Sequence, residues 1–338
     1  WVRRVRCRVD WDAKAAAAAA ADDDDDDSLP IRCGDLSSAI CCRASGSTAA
    51  ASLPRVAIAA CMKACPPAQL REWLFWHLSG GVELILLRWE GPLGPEQKAA
   101  LQAPIGRGQL VLTHLPKGST SSGFQAVMTR QLKFVQCAID VARKRRCDFL
   151  LHLDDDELLF PRSPGMSLPE VFARHVGSSA RCIHFANLEA VFRYEHSTDR
   201  PFSREETRFR TARQVLYVNG KSAANLAAPG PLFCSGVHHF CRYDRSFANA
   251  DPAYGLHDEC AGCADPGCCV LEGAAVVLHF DSPSFADWRA KFRARAASAL
   301  RKEDIEEMDI FPFKRESVDI LRQPNRSEQD LAKVYRRW

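Results

Sequence analysis

Short apolar runs alternate with amphipathic stretches along this chain from residue 55 onwards. Three of the runs, 56–60, 82–87 and 109–115, have the length and composition of strands buried on both faces of a parallel sheet. Between the first two runs, large apolar residues recur at the spacing of a helix: Leu70, Trp73, Leu74 and Leu78. A shorter helix is predicted over 95–102. This alternation predicts a parallel sheet with helical crossovers.

A long amphipathic helix over 124–143 leads into a fourth apolar run at 149–153. The carboxyl end of this run carries four consecutive acids, Asp154, Asp155, Asp156 and Glu157. Open α/β sheets bind their ligands beyond the carboxyl ends of their strands. The acidic cluster therefore lies where a binding site is expected.

The pattern becomes mixed after residue 161. We predict strands at 182–188 and 276–280 and helices at 168–175 and 284–301. Ser284, with Asp287 three residues later, resembles a capping box for the last helix. The predicted fold class is α/β, with a Rossmann-like, mixed and mostly parallel sheet flanked by helices in a single domain over 54–302.

The two ends of the chain are predicted to lie outside this domain. Residues 1–53 contain a basic start, an alanine run and the acidic run 22–27. Such a composition buries too little apolar surface to offset the entropy lost on ordering, so we expect a disordered leader or stem. For residues 303–338 we expect a helical tail.

Composition narrows the functional classes. The chain has 338 residues, of which 46% are hydrophobic, and its net charge is only +3 from 45 basic and 42 acidic residues. This balance gives no field strong enough to favour nucleic acid as a partner. No run reaches the roughly 20 apolar residues of a membrane helix, so a membrane anchor is expected only outside this sequence.

Fifteen cysteines are many for a chain of this length. Several of them crowd one segment near 250–270, which contains Cys260, Cys263, Cys268 and Cys269. Disulfides or free thiols are favoured there, and disulfides would suit an oxidising secretory compartment. A structural zinc site, with His257 nearby, is the alternative. Four other cysteines have apolar neighbours in the sequence and are expected to be small buried residues: Cys61, Cys137, Cys147 and Cys182.

The acidic cluster calls for a cation, because neighbouring carboxylates at the end of a buried strand repel one another and are costly to desolvate. Mg²⁺ or Mn²⁺ accepts oxygen ligands and completes its shell with water and phosphate. Alternation along a strand would place Asp154 and Asp156 on one side, facing one ion. The alternative is a solvated acidic turn, but the apolar runs on both sides of the cluster count against it.

Five short motifs in order carry a resemblance to a known group of proteins: Glu72 to Leu78 with Gly81-Val82, Leu153 to Leu158, Gly220-Lys221-Ser222, Gly236-Val237-His238 and Leu278-His279-Phe280. With them, residues 55–301 resemble the glycosyltransferase family 92 and family 2-like group, which has the GT-A fold. Lys63-Ala64-Cys65 and Arg88-Trp89-Glu90 depart from that group at the turns expected to contact the nucleotide.

The resemblance implies a metal-dependent, inverting transfer of a hexose, galactose being one option, from a nucleotide-diphospho-sugar to a glycan or another hydroxyl acceptor. A UDP-sugar is favoured as donor and a GDP-sugar is possible. Residues 54–160 would form the nucleotide-sugar half and residues 161–302 the acceptor half, with the cysteine-rich segment as an insertion. The Golgi lumen is the expected location.

The resemblance also implies roles for individual residues. Asp154, Asp156 and His279 are expected to hold Mn²⁺ or Mg²⁺. The expected contacts to the donor form a larger set: Lys63, Gln131, Asp154, Asp155, Asp156, Lys221 and His238. Glu189 is favoured as the catalytic base, with Asp281 as the other candidate.

Two other functions fit parts of the sequence. A catalytically inactive relative that binds glycans would explain the altered nucleotide-contact motifs. A phosphotransferase of the haloacid dehalogenase type also places Asp-X-Asp after an apolar strand. That class needs Thr or Val soon after the second Asp, whereas this chain continues with Glu157-Leu158.

Overall fold

The computed structural model describes residues 52–117, 124–192, 196–204, 208–211, 220–228, 232–236, 239–241, 269–297 and 312–337. The predicted leader therefore lies outside the described residues, apart from its last two positions. The cysteine-rich segment up to Cys268 and the predicted donor contact His238 lie outside them as well.

The described strands are β1 (Val56–Lys63), β2 (Leu84–Glu90), β3 (Leu110–Leu115), β4 (Phe149–His152), β5 (Glu157–Pro161), β6 (Cys182–Val191), β7 (Arg208–Thr211), β8 (Lys221–Asn225), β9 (Phe233–Gly236), β10 (His239–Cys241) and β11 (Cys269–His279). The described helices are α1 (Pro67–Ser79), α2 (Pro95–Gly106), α3 (Phe124–Lys144), α4 (Leu168–Ala173), α5 (Phe285–Ala297), α6 (Pro312–Arg322) and α7 (Glu328–Arg337). A 3₁₀ turn covers Pro201–Ser203.

The predicted α/β class with a mixed sheet flanked by helices is confirmed. The main sheet has the strand order β3-β2-β1-β4-β8-β6-β11-β5, and β7 pairs with β6. Its first four strands are parallel, as the alternation of strands and helices predicted. Antiparallel pairs predominate in the second half, where β8 runs between β4 and β6.

Both faces of β1 are buried, which explains its continuous apolar run. Ile58 and Met62 face a core shared with Trp73 of α1. Ala57 and Ala59 face a second core shared with α3. Such two-sided burial is typical of parallel strands covered by helices on both faces.

The helices α5, α6 and α7 form a third core of their own. The indole of Trp288 donates to Ser317 Oγ at 2.9 Å, and Tyr335 OH donates to the carbonyl of Pro283 at 3.0 Å. At the start of α5, the Asp287 backbone N–H donates to Ser284 Oγ at 3.0 Å. This small core holds the chain that follows β11. Among the described residues, no helix is both long and apolar enough to cross a membrane.

Replacing Gly220 by Ala is expected to destabilise the protein by about 3 kcal/mol or more, because strain and a steric clash add. Gly220 has a φ of +53°, and an added Cβ would clash with the carbonyl oxygen of Phe185. Urea denaturation measures the change. Gly273→Ala in β11 is the matched control, because nothing lies within 4 Å of its added Cβ. Equal losses in the two variants would contradict the prediction.

Candidate active site

One edge of the main sheet collects the predicted site residues. The strands β4, β6 and β11 run in the same direction, since β8 is antiparallel to both β4 and β6 and β11 is parallel to β6. Their carboxyl ends therefore lie on one side, with the first residues of the antiparallel strands β5 and β8. Those ends and starts carry Asp154 to Glu157, Glu189, Lys221 and His279.

The acidic cluster lies in a turn rather than along the strand. β4 ends at His152, and the turn continues into β5 at Glu157. The indole of Trp73 donates to the carbonyls of Asp154 at 3.1 Å and Glu157 at 2.9 Å. Gln69 donates to the carbonyl of Asp155 at 2.8 Å. Because α1 holds this backbone in a turn, strand alternation does not decide which acids face one another.

The carboxylate of Asp154 is held by protein groups. The ammonium of Lys221, which is fully buried, lies 2.6 Å from Asp154 Oδ2 and 3.1 Å from Glu157 Oε2. Gln131 Nε2 donates to Asp154 Oδ1 at 3.2 Å. Burial alone would lower the pKa of Lys221, but these two carboxylates raise it above its ordinary value. Lys221 therefore remains charged and supplies one cation that the cluster needs.

A second group of ligand atoms forms from Asp156, His279 and Asp281, whose oxygens and nitrogen all lie within 4.8 Å of one another. His279 Nε2 is 3.8 Å from Asp156 Oδ2. The antiparallel pairing of β11 with β5 places His279 opposite Glu157, and the Phe280 N–H donates to the Asp156 carbonyl at 2.8 Å. Two carboxylates and an imidazole fit Mn²⁺, for which oxygen ligands with one nitrogen are suitable donors.

Glu189 orients the imidazole of this group. It lies opposite His279 in the β6–β11 ladder, and both of its oxygens are 2.9 Å from His279 Nδ1. Asn187 Nδ2 donates to Glu189 Oε1 at 2.6 Å. With Nδ1–H bound to a carboxylate, Nε2 is directed towards Asp156. Metal-binding histidines commonly donate their other ring N–H to a carboxylate in this way.

The charges of this group shift several pKa values. Burial alone would lower the pKa of His279, but Glu189 and Asp156 raise it to about 9. Burial is the main cause that raises the pKa of Asp155 and of Glu157 to about 7. In the protein without a bound cation, this edge of the sheet therefore retains protons at neutral pH.

Binding of Mn²⁺ to the donor-free protein is expected to strengthen by about tenfold per pH unit between pH 7 and pH 9, because His279 must lose one proton to become a ligand. The pKa of about 9 places the end of this rise near pH 9. Titrations followed by the electron paramagnetic resonance (EPR) signal of free Mn²⁺ measure it. The variant His279→Gln should bind weakly and lose the slope from this proton. An affinity independent of pH in the native protein would contradict the prediction.

Asp281, predicted as an alternative base, belongs to the group with Asp156 and His279. Its Oδ1 contacts the ammonium of Lys291 from α5, and Ser282 Oγ donates to Oδ2 at 3.0 Å. Burial lowers the pKa of Lys291 to about 8, against the attraction of Asp156. Sequence reasoning missed Lys291, because it belongs to no motif and lies on a helix whose placement depends on the third core.

The ends of β1 and β2, where the sequence departs from the motif pattern, also have contacts of their own. Lys63 ends β1 with its side chain exposed, opposite Glu90 in the ladder. Glu90 accepts from the Nε atoms of Arg88 and Arg130, each at 3.0 Å. Burial would raise the pKa of Glu90, but the two guanidinium groups lower it below its ordinary value. The end of β2 thus presents an acid already paired with two arginines.

No protein-family model and no curated protein matches this chain. The resemblance to family 92 therefore rests on the motifs alone. Among solved structures, the chain is similar to the bifunctional glycosyltransferase WbbM in its apo form, with 8% identity and a TM-score of 0.24 over 42% of this chain and 24% of that chain. The chain thus spans about a quarter of the length of WbbM.

A second solved structure is the mannosyltransferase PcManGT from Pyrobaculum calidifontis in complex with GDP-Man and Mn²⁺. It has 8% identity and a TM-score of 0.35 over 85% of this chain and 80% of that chain. Both of these structural neighbours are glycosyltransferases. At these similarities, a function for this chain has to be argued from its own residues.

Proposed function

We propose that this chain is a divalent-metal-dependent glycosyltransferase, which moves a sugar from a nucleotide-diphospho-sugar to a hydroxyl group of a glycan or another acceptor. The observation that carries the proposal is the group of Asp156, His279 and Asp281 at the carboxyl edge of the sheet. This edge is where open α/β sheets bind nucleotides. The motif resemblance to family 92 and family 2-like glycosyltransferases agrees with it.

Asp156, Asp281 and His279 are the proposed metal ligands, with Mn²⁺ favoured over Mg²⁺. Three protein ligands leave room in an octahedral shell for water and phosphate oxygens. The ion supplies positive charge against the departing diphosphate when it is bound. Asp154, predicted as a ligand from the motif, is assigned a positioning role instead, because it is not part of the group of ligand atoms formed by Asp156, His279 and Asp281, and the fully buried Lys221 holds its Oδ2.

The donor is proposed to lie over the carboxyl ends of β1, β2 and β4. A UDP-sugar is favoured and a GDP-sugar is the alternative, and Lys63 and Asp155 stay proposed contacts on this side. Glu189 is assigned to orienting His279 rather than to the base role, because both of its oxygens contact the imidazole. Inversion at the anomeric carbon and a location in the secretory pathway belong to the same proposal.

A panel of UDP- and GDP-sugars tests the function by thermal shift and by release of the nucleoside diphosphate, with and without Mn²⁺. We expect at least one donor to stabilise the protein and to be hydrolysed slowly, both only with Mn²⁺. The anomer of the transferred sugar, read by nuclear magnetic resonance, tests inversion. If no nucleotide sugar gives a Mn²⁺-dependent response, the proposal fails.

A non-catalytic protein that binds glycans is the second candidate. It is favoured by the ion pairs that engage Glu90 with Arg88 and Arg130 at the end of β2, where the motif pattern has a turn expected to contact the nucleotide. Binding of free oligosaccharides on a glycan array, together with zero release of nucleoside diphosphate, would select this candidate. Release of inorganic phosphate from a phosphomonoester would instead indicate a phosphotransferase.

A further inference from the structure

The ammonium of Lys291 contacts the carboxylate of Asp281 inside the group that we assign to the metal. The hydroxyl of Ser282 donates to the other oxygen of Asp281 at 3.0 Å. Asp281 is therefore neutralised by a cation of the protein itself. Of the other two members of the group, His279 contacts Glu189, whereas Asp156 lies beside His279 and also attracts the charge of Lys291.

The backbone of Lys291 is held in place, whereas its ammonium group can change position. Its helix α5 packs Trp288 and Phe292, both buried, against α6 and α7. The side chain of Lys291 is 31% exposed. Lysine carries its charge on a flexible four-carbon stem. The ammonium can therefore leave Asp281 by rotations of the side chain, while the helix stays in place.

A divalent ion and the ammonium compete for Asp281. Like charges a few ångströms apart in a partly buried site repel one another strongly. An ion that takes an oxygen of Asp281 as ligand therefore weakens the contact with Lys291. Removal of the lysine should, by the same reasoning, strengthen binding of the ion.

Two further cations lie beside Lys291. Arg295 follows it by one turn of α5, Lys314 is on α6, and both are close enough to repel its charge. Because these two charges repel the ammonium of Lys291, its movement away from the acidic group is unfavourable unless another anion lies near it. A nucleotide sugar whose diphosphate contacts the bound ion would supply such an anion beside Lys291.

We propose that Lys291 exchanges counterions: it neutralises Asp281 in the metal-free protein and pairs with the diphosphate of the donor once Asp281 has taken the ion. The first half concerns only the protein and the ion. The second half rests on the proposed function and makes Lys291 a stabiliser of the leaving diphosphate.

The variants Lys291→Met and Lys291→Gln test the exchange, with Arg293→Met as the matched control on the same helix. Arg293 is 59% exposed and lies 3.9 Å from Glu328 of α7. For the donor-free protein, we expect the affinity for Mn²⁺ to rise about threefold to tenfold in both Lys291 variants, as expected when a competing charge is removed. The EPR signal of free Mn²⁺ measures this affinity, which should not change in Arg293→Met.

Donor hydrolysis at saturating Mn²⁺ tests the second half. We expect kcat to fall by about tenfold to a hundredfold in the Lys291 variants, with a smaller change in KM, because charge on the leaving group develops in the transition state. An unchanged or lower affinity for Mn²⁺ in both variants would overturn the exchange. A raised affinity with unchanged kcat would overturn the diphosphate contact. A native protein that binds Mn²⁺ but hydrolyses no donor would instead count against the proposed function, and the Mn²⁺ titrations would still decide the first half.

Discussion

Replacing Asp156 by Asn is expected to lower Mn²⁺-dependent turnover of the donor by about 10³-fold, which corresponds to about 4 kcal/mol of transition-state stabilisation. The physical reason is the loss of an anionic ligand from the group that the described part of the chain offers to the ion: Asp156, His279 and Asp281. Asn has nearly the same shape, and the Asp156 carbonyl keeps its bond from the Phe280 N–H. The affinity of the donor-free protein for Mn²⁺ should fall at least tenfold, as measured by EPR.

The matched control for this prediction is Asp319→Asn on α6, where the carboxylate is 57% exposed and lies 3.7 Å from Arg315 in the preceding turn of the helix. It removes the same charge without touching the acidic group, so its turnover and Mn²⁺ affinity should equal those of the native protein. If Asp156→Asn kept Mn²⁺-dependent turnover within about threefold of the native value, the assignment of Asp156 as a ligand would be wrong.

Replacing Lys221 by Met is expected to lower the free energy of unfolding by about 3–5 kcal/mol at pH 8, because one partner of a buried ion pair disappears. The fully buried ammonium lies between Asp154 and Glu157, and the side chain of Glu157 is only 1% exposed. Without Lys221, the charge on Glu157 has no cation at 3.1 Å. Urea denaturation followed by tryptophan fluorescence measures the loss.

The loss should shrink at pH 5. Burial raises the pKa of Glu157 to about 7, although Lys221 lowers it. Without Lys221, this pKa rises further. Glu157 is then neutral in the folded variant at pH 5 and needs no partner, whereas at pH 8 its ionisation opposes folding. The double variant Lys221→Met/Glu157→Gln should recover part of the loss at pH 8.

Lys333→Met on α7 is the control, since Lys333 is exposed and its replacement should change stability by less than about 0.5 kcal/mol. A loss for Lys221→Met that is as small as this, or that is equal at pH 5 and pH 8, would contradict the role of the buried pair.

Most elements could be predicted from apolar periodicity, and their ends could not. The strands β1 to β3 and the long helix α3 were predicted within a few residues, because two-sided burial and helical spacing leave a local pattern. The strand predicted at 276–280 begins instead at Cys269. Glu272 interrupts the apolar run there, but it is buried, with His175 at 2.6 Å. A partner 97 residues away in the chain makes this acid compatible with a strand.

Cys137 illustrates the opposite error. The sequence favoured it as a small buried residue, whereas it is exposed on α3. Apolar neighbours in the chain did not decide its burial, because a helix turns successive residues to different sides. The face of α3 that packs against the second core carries Val135 and Ile139.

The local pattern alone was sufficient to place a cluster of carboxylates at the end of a buried strand and to require a cation for it, because both conclusions depend only on neighbouring residues. The tertiary structure decides which cation pairs with which carboxylate. Asp154 takes Lys221, which lies 67 residues away, and Asp156 joins His279 and Asp281. The ladders of β11 with β5 and with β6 set these partners. The order of the strands and the choice of partner strand depend on pairing between distant segments, and a local periodicity does not specify either of them.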